Sequence, residues 1–270
     1  MTIDNATALQ FFSTAAERLF RVADVTGDDT QGFTEIVTGP WLADESGRAC
    51  RGTLGVVMDD VMGYPVNGMT PEGFWAVSTE IHLDFVADPP VDGSVLRAES
   101  WVLGRGSRTG LAGGRVVDAQ GRLIACGSTR LQTVPLTDPP GAPAVCPDQL
   151  DSRVRARSIV ELLGAEHARG ASGIEFGPSP MLANPMGNIH GGVLLCASEI
   201  GGSAALPIDA EFRTTSIHIS YLRPCPSDEP VTFAPKVVHR GRSLGIVEVS
   251  SRNAAGKTCT TATITYSAVH

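Results

Sequence analysis

The stretch MLANPMGNIHGGVLLCASEIGGSAAL, residues 181–206, decides how the chain is read. It opens with turn residues, passes through His190-Gly191-Gly192, and continues as a nearly unbroken run of small and apolar residues. One carboxylate, Glu199, interrupts that run. The pattern predicts a helix beginning near Gly191. Such a helix aims its unpaired N–H groups and its positive dipole end back at the His-Gly turn. That is a place to hold a developing oxyanion. A carboxylate inside an apolar helix, in turn, requires a partner.

Working outward, the pattern around this stretch occurs twice. In the first half, residues 6–23 have helical apolar spacing and 32–43 read as a strand leading to a turn. Residues 52–64, GTLGVVMDDVMGY, are a mostly apolar helical segment carrying Asp59 and Asp60. Strand-like runs follow at 74–87, 94–106, 109–120 and 122–134, with DAQG at 118–121 as a hairpin turn. Residues 135–150 hold five prolines and read as a linker. Then the order begins again. A helix is predicted over 152–167, a strand and turn over 173–183, the His-Gly-Gly helix, and strands over 212–224, 231–241, 244–256 and 257–269.

The repeat holds residue by residue. Gly106 and Gly241, Gly110 and Gly245, and Gly121 and Gly256 are each 135 apart. Phe85 matches Tyr221 at an offset of 136, and Asp60 matches Glu199 at 139. PWLADESG (40–47) matches PMLANPMG (180–187). The chain therefore reads as a tandem duplication of class α+β, each half a helix wrapped by an antiparallel sheet. The expected division is 1–134, a linker at 135–150, and 151–270.

Composition narrows the function. Hydrophobic residues make up 42% of the chain, enough for a packed core, and the formal net charge is −8. An acidic chain without a basic block argues against nucleic-acid binding. The opening MTIDNATALQFF has neither a basic leader nor a long apolar run, so no signal peptide or membrane span is expected. Six scattered cysteines without a CxxC pair fit reduced thiols and a cytoplasmic location.

The second half resembles the hot-dog-fold acyl-CoA thioesterases of the phenylacetate-pathway (PaaI-like) group. The resemblance rests on Asn184, His190-Gly191-Gly192, an acid nine residues after the His (Glu199), SIHISYLRP (216–224) and HRGRSLGIVEV (239–249), and covers roughly 173–269. In the first half Arg51 stands at the His position, Gly52 remains, Thr53 replaces the second Gly, and Asp44 stands at the Asn position. The whole then looks like a double hot-dog protein. The resemblance implies hydrolysis of an acyl-CoA without a metal or redox cofactor, coenzyme A being part of the substrate. It also implies an acid acting as base or nucleophile, with a Gly N–H and the Asn amide polarising the carbonyl. By analogy with family tetramers, two such chains are expected to pair.

Helix geometry separates these parts. Gly191 and Glu199 lie eight residues apart, about 12 Å along a helix, whereas a base works within about 3 Å of its partner. The acid must come from a facing antiparallel helix, which the other repeat can supply. The first expected site joins Asn184, His190 and Gly191 with Asp60, and Ser78 beside Asp60 orients a water. The second joins Gly52, Arg51 and Asp44 with Glu199 and Thr214. Asp44 would repel an oxyanion unless Arg51 neutralises it, so the first site is expected to be the working one. Arg240 and Arg242 are candidates for the phosphates of coenzyme A. A non-catalytic acyl-CoA-binding role and a hydratase are the alternatives, although the Asp/His motif of hydratase relatives is not recognised. GRSLG (241–245) fits a nucleophile elbow, but a strand-like run follows it and no Asp lies after Ser243, so a Ser-Asp-His order cannot be built.

Overall fold

The computed structural model describes residues 14–136, 143–167, 173–206 and 212–268. The first half carries β1 (Thr26–Gly27), β2 (Gln31–Val37), β3 (Phe74–Phe85), β4 (Val95–Arg105), β5 (Thr109–Val117) and β6 (Leu123–Pro135). The second carries β7 (Glu166–His167), β8 (Ile174–Phe176), β9 (Phe212–Tyr221), β10 (Val231–Arg240), β11 (Leu244–Arg252) and β12 (Thr258–Ala268). All twelve form one antiparallel sheet in the order β1-β2-β4-β5-β6-β3-β9-β12-β11-β10-β8-β7. The two halves of that order mirror each other about the β3–β9 pairing, which centres on His82 opposite His218.

The helices are α1 (Ala15–Leu19), α2 (Gly55–Asn67), α3 (Pro147–Val154), α4 (Ile159–Leu163) and α5 (Gly191–Ala205). The sheet wraps around α2 and α5. Val56, Val57, Met58, Val61 and Met62 of α2 are buried, as are Val193, Leu195, Cys196 and Ala197 of α5. Being apolar on nearly every side, both helices gain by enclosure and lose by exposure. No helix among the described residues is long and apolar enough to cross a membrane.

Two local features prepare the interior. The register of β3 against β6 slips between Ser78 and Glu80, and that of β9 against β12 slips between Thr214 and Ser216. These matched bulges bend each central strand beside its helix, as an extra residue on one strand does. Before each helix the chain makes a 3₁₀ turn, Pro40–Leu42 or Pro180–Leu182. A tight loop follows, closed by the bridge Ala43–Ala49 or Ala183–Ile189.

Some sequence expectations are redrawn. Of the helix expected over 6–23, residues 1–13 lie outside the described residues. The described part is α1, which Thr14 caps and which ends before Arg21 at φ 54°. The helix expected over 152–167 is broken. Ser158 caps a fresh start for α4, and Gly164 ends it in the left-handed region at φ 63°. In the stretch expected to be a linker, β6 runs to Pro135 and α3 begins at Pro147, while 137–142 are outside the described residues.

Helices α2 and α5 touch at their first turns. A Cβ on Gly192 would stand 2.4 Å from the Gly55 carbonyl and from the Val56 Cα. Both neighbours are backbone, so a methyl group there forces the helices apart. Gly192→Ala is expected to destabilise the fold by about 1–3 kcal/mol, read as a lower denaturant midpoint with an unchanged slope.

Candidate active site

Because the helices meet at their N-terminal turns, the second turn of α2 faces the start of α5. The Gly192 N–H donates to Asp59 Oδ2 at 3.0 Å, and the Ser78 hydroxyl donates to Asp59 Oδ1 at 2.7 Å. The Tyr221 hydroxyl donates to the Gly191 carbonyl at 2.8 Å and fixes the turn. Gly191 begins the helix, so its N–H has no intrahelical acceptor. Asn184 Oδ1 accepts from the N–H groups of Met186 and Asn188 at 3.0 and 3.1 Å. That turn leaves the Asn184 amide nitrogen without a partner among the described residues, on the wall of a cavity of about 470 Å³. Asp59, Ser78, Asn184, His190 and Gly191 all line this cavity.

Behind Asp59 lies a buried charged cluster. His190 Nε2 is 3.0 Å from Asp60 Oδ1 and 3.8 Å from Glu17 Oε1. The Gly192 nitrogen lies 3.1 Å from His190 Nδ1, which is itself 3.5 Å from Asp59 Oδ2. Burial raises the Asp60 carboxyl to about 7, against the pull of His190 and with help from Glu17 and Asp59. Burial opposes charge on His190, but Asp60, Asp59 and Glu17 outweigh it and raise the imidazole to about 10. Glu17, Asp60 and His190 each bring one potential metal-ligand atom within 4.8 Å of the others. The imidazolium that these acids favour carries a hydrogen on each ring nitrogen, and Nε2 gives its hydrogen to Asp60.

Asp60 was expected to be the acid beside Ser78; the structure puts Asp59 there instead. The cause is a local change of winding. Residues Arg51–Leu54 form a 3₁₀ turn before α2, whereas α5 starts directly at Gly191. A 3₁₀ turn advances about 120° per residue against about 100° for an α-helix, so four residues add about 80°. The position that simple alignment gives to Asp60 is thus reached one residue earlier. Asp60 turns toward His190, and its Oδ2 is buried without a hydrogen-bond partner among the described residues.

The second constellation is assembled differently. Glu199 Oε2 accepts from the Gly52 N–H at 2.6 Å. Burial raises the Glu199 carboxyl, against hydrogen bonds from Thr214 and Gly52. Arg51 does not bridge to Glu199. Its Nε donates to Asp88 at 2.6 Å and its Nη1 to the Thr214 carbonyl at 2.8 Å, so the side chain fills the space in front of the acid. Asp44 forms the same turn as Asn184, but its second oxygen takes Arg48 at 3.2 Å. Where Tyr221 offers a hydroxyl, Phe85 has none. What remains is a pocket of about 80 Å³. Arg240 and Arg242 line neither cavity. Their hairpin packs by Gly245 on Leu206, past the C-terminal end of α5, and the arginine on the wall of the larger cavity is Arg223.

The comparisons with known proteins bear on this arrangement. Residues 180–267 match the family described as acyl-CoA thioesterase N-terminal domain. The tesB protein of Mycobacterium avium subspecies paratuberculosis superposes with a TM-score of 0.63 at 9% identity, over 95% of this chain and 100% of that one. This chain has the double hot-dog fold. An acyl-CoA thioesterase II of Mycobacterium marinum superposes on the double hot-dog with a TM-score of 0.59 at 11% identity, covering 95% and 97% of the two chains. A 12:0-ACP thioesterase of Umbellularia californica does so at 0.60 and 11%, covering 88% and 94%. A Saccharolobus solfataricus protein named as a putative esterase is 25% identical over 123 residues, 43% of this chain and 81% of that protein.

Two residues of the site, Asp59 and Glu17, were not singled out by sequence reasoning. Glu17 carried a signal of another kind: Thr14-x-x-Glu17 is a capping box, formed here between the Thr14 N–H and hydroxyl and Glu17 Oε2. Asp60 and His190 are both raised, so each holds its proton more tightly in the folded chain. Each contribution to stability is full below the unfolded value and is lost as pH rises through the folded value. For His190 that window runs from 6.5 to about 10. The denaturant midpoint is expected to fall across this window, and His190→Gln is expected to flatten that part of the profile.

Proposed function

We propose that this double hot-dog chain hydrolyses an acyl-CoA thioester to the free acid and coenzyme A, at one site formed by both repeats. The observation that carries the reading is the Asp59 carboxylate on the cavity wall, held by the Gly192 N–H and the Ser78 hydroxyl, with the Gly191 N–H and the Asn184 amide beside it. The match of residues 180–267 to an acyl-CoA thioesterase family supports the substrate class. The His-Gly-Gly turn with Asn184 supports a phenylacetate-pathway type of chemistry for the second repeat.

Asp59 takes a proton from water, and the resulting hydroxide attacks the thioester carbonyl carbon. The oxyanion is stabilised by the Gly191 N–H and the Asn184 amide, each such donor contributing about 3 kcal/mol. The intermediate collapses with cleavage of the C–S bond, and the leaving thiolate receives the proton from Asp59. Ser78 and the Gly192 N–H keep the carboxylate in place. His190 stands behind the turn and does not touch the thioester.

The two ends of the cavity differ in chemistry. Exposed Arg223 and Leu222 mark the mouth, a setting for the charged end of coenzyme A. Inward, Gly63, Ala76, Leu131 and Val134 make an apolar slot along α2 toward Asn67. Asn67 closes that end by hydrogen bonds to Ala76 N–H and to the Gly63 and Ala76 carbonyls. A Cβ on Gly63 would meet nothing nearer than 3.9 Å, so this glycine leaves open space for an acyl chain.

Free-thiol release from a panel of acyl-CoA esters tests the reading. Asp59→Asn is expected to lower kcat about 100-fold or more, and Glu199→Gln to leave it within about threefold, within the context scatter of a remote change. Loss of activity only in Glu199→Gln would place the reaction in the other half. Gly63→Leu is expected to shift the panel toward shorter acyl groups with little change for the shortest; an unchanged preference would remove the slot from the account. Binding of acyl-CoA without thiol release would favour a non-catalytic role.

A further inference from the structure

We propose that Glu17 is a positioning residue for this site: with Asp60 it holds His190 as an imidazolium, so that the Gly192 N–H is left to Asp59. Where turnover is concerned, this rests on the hydrolytic reading above.

The geometry starts from α1, outside both central helices. Glu17 is 3% exposed, and its two oxygens are divided between two tasks. Oε2 accepts from Thr14 and completes the helix cap, while Oε1 faces His190 Nε2 at 3.8 Å. Asp60 Oδ1 faces the same nitrogen at 3.0 Å, and Asp60 Oδ2 is buried with no hydrogen-bond partner among the described residues. Two buried carboxylates therefore converge on one ring nitrogen. Unpaired, such charges are costly, and the nearest group able to become a cation is the imidazole.

The repeat supplies an independent comparison. Glu161 occupies the capping position of α4, three residues after Ser158, as Glu17 does after Thr14. Glu161 is exposed and accepts from the Arg157 N–H at 2.8 Å. At that end of the molecule the position equivalent to His190 is Arg51, a permanent cation that needs no acid to charge it. Only the half that carries a histidine turns its capping acid inward.

Charge on His190 decides which group receives the Gly192 N–H. That N–H stands 3.1 Å from His190 Nδ1 and 3.0 Å from Asp59 Oδ2. A neutral ring protonated on Nε2 competes for it through the Nδ1 lone pair. An imidazolium cannot accept; it carries a hydrogen on Nδ1, with Asp59 Oδ2 3.5 Å away. The Gly192 N–H then belongs to Asp59 alone. The groups facing His190 are Asp59 and Asp60 from α2, Glu17 from α1, Tyr221 from β9, and Cys225 on the same cavity wall. Burial and Asp59 keep the Tyr221 proton in place.

The test is an ¹⁵N-imidazole NMR titration of the full chain, with His190 assigned by His190→Gln and read beside the pH profile of kcat/KM. Glu17→Gln keeps the size of the side chain and an acceptor for Thr14 while removing the charge. It is expected to lower the His190 pKa by about one unit or more and to move the alkaline limb of kcat/KM to lower pH by the same amount. Thr14→Val breaks the cap but keeps the charge, and is expected to leave both unchanged. An unaltered His190 titration in Glu17→Gln, or equal shifts in both variants, overturns the proposal. If no acyl-CoA releases thiol, the hydrolytic reading fails, and the NMR titration still decides whether Glu17 holds the charge on His190.

Discussion

The contact between Gly55 and Gly192 is the constraint on which the remaining geometry depends. Two helices approach there until a single methyl group would not fit. Both bring their N-terminal turns, and hence two positive dipole ends, into one region. Each end is met by an acid from the opposite helix: Asp59 at Gly192, and Glu199 at Gly52. These carboxylates act first as reciprocal caps. Chemistry becomes possible only where a cap also borders open space.

That condition separates two halves built on one plan. Both have the loop closed by an Asn or Asp, the bulged central strand, and the acid on the facing helix. At one end Asn184 has an amide nitrogen without a partner among the described residues, Tyr221 fixes the turn, and the cavity holds about 470 Å³. At the other end Asp44 is tied to Arg48, Phe85 lacks the hydroxyl, and Arg51 occupies the space, leaving about 80 Å³. Few substitutions separate the halves, but they fall on the parts that would touch a substrate.

The duplication was legible because matched glycines mark matched turns. Gly121 and Gly256 both lie at positive φ, at 77° and 71°, where other residues are strained. The apolar runs of α2 and α5 were legible for a similar reason, since helices buried on all sides admit few polar residues. Which of the two acids meets the Gly192 N–H and Ser78 was not. Asp59 and Asp60 are neighbours, and choosing between them requires the helical phase set by a 3₁₀ turn that sequence spacing does not reveal. Glu17 lay inside the helix expected over 6–23, and the sequence shows no sign that it reaches His190, which is 173 positions away. Arg51 reaches Asp88, 37 residues away, a partner that only the folded sheet brings near. Arg240 and Arg242 line neither cavity, because their hairpin packs by Gly245 on Leu206 at the C-terminal end of α5.

The central claim is that one composite site joins Asp59 of the first repeat to Gly191 and Asn184 of the second. It is tested most directly by a crystal structure of the full chain with a non-hydrolysable acyl-CoA analogue carrying a ketone in place of the thioester. One analogue per chain is expected. Its carbonyl oxygen should lie about 3 Å from the Gly191 nitrogen and the Asn184 amide, and its carbonyl carbon should face Asp59, with room for one water between them. An analogue seated against Glu199 and Gly52, or one whose carbonyl faces Asp60 instead of Asp59, would contradict it.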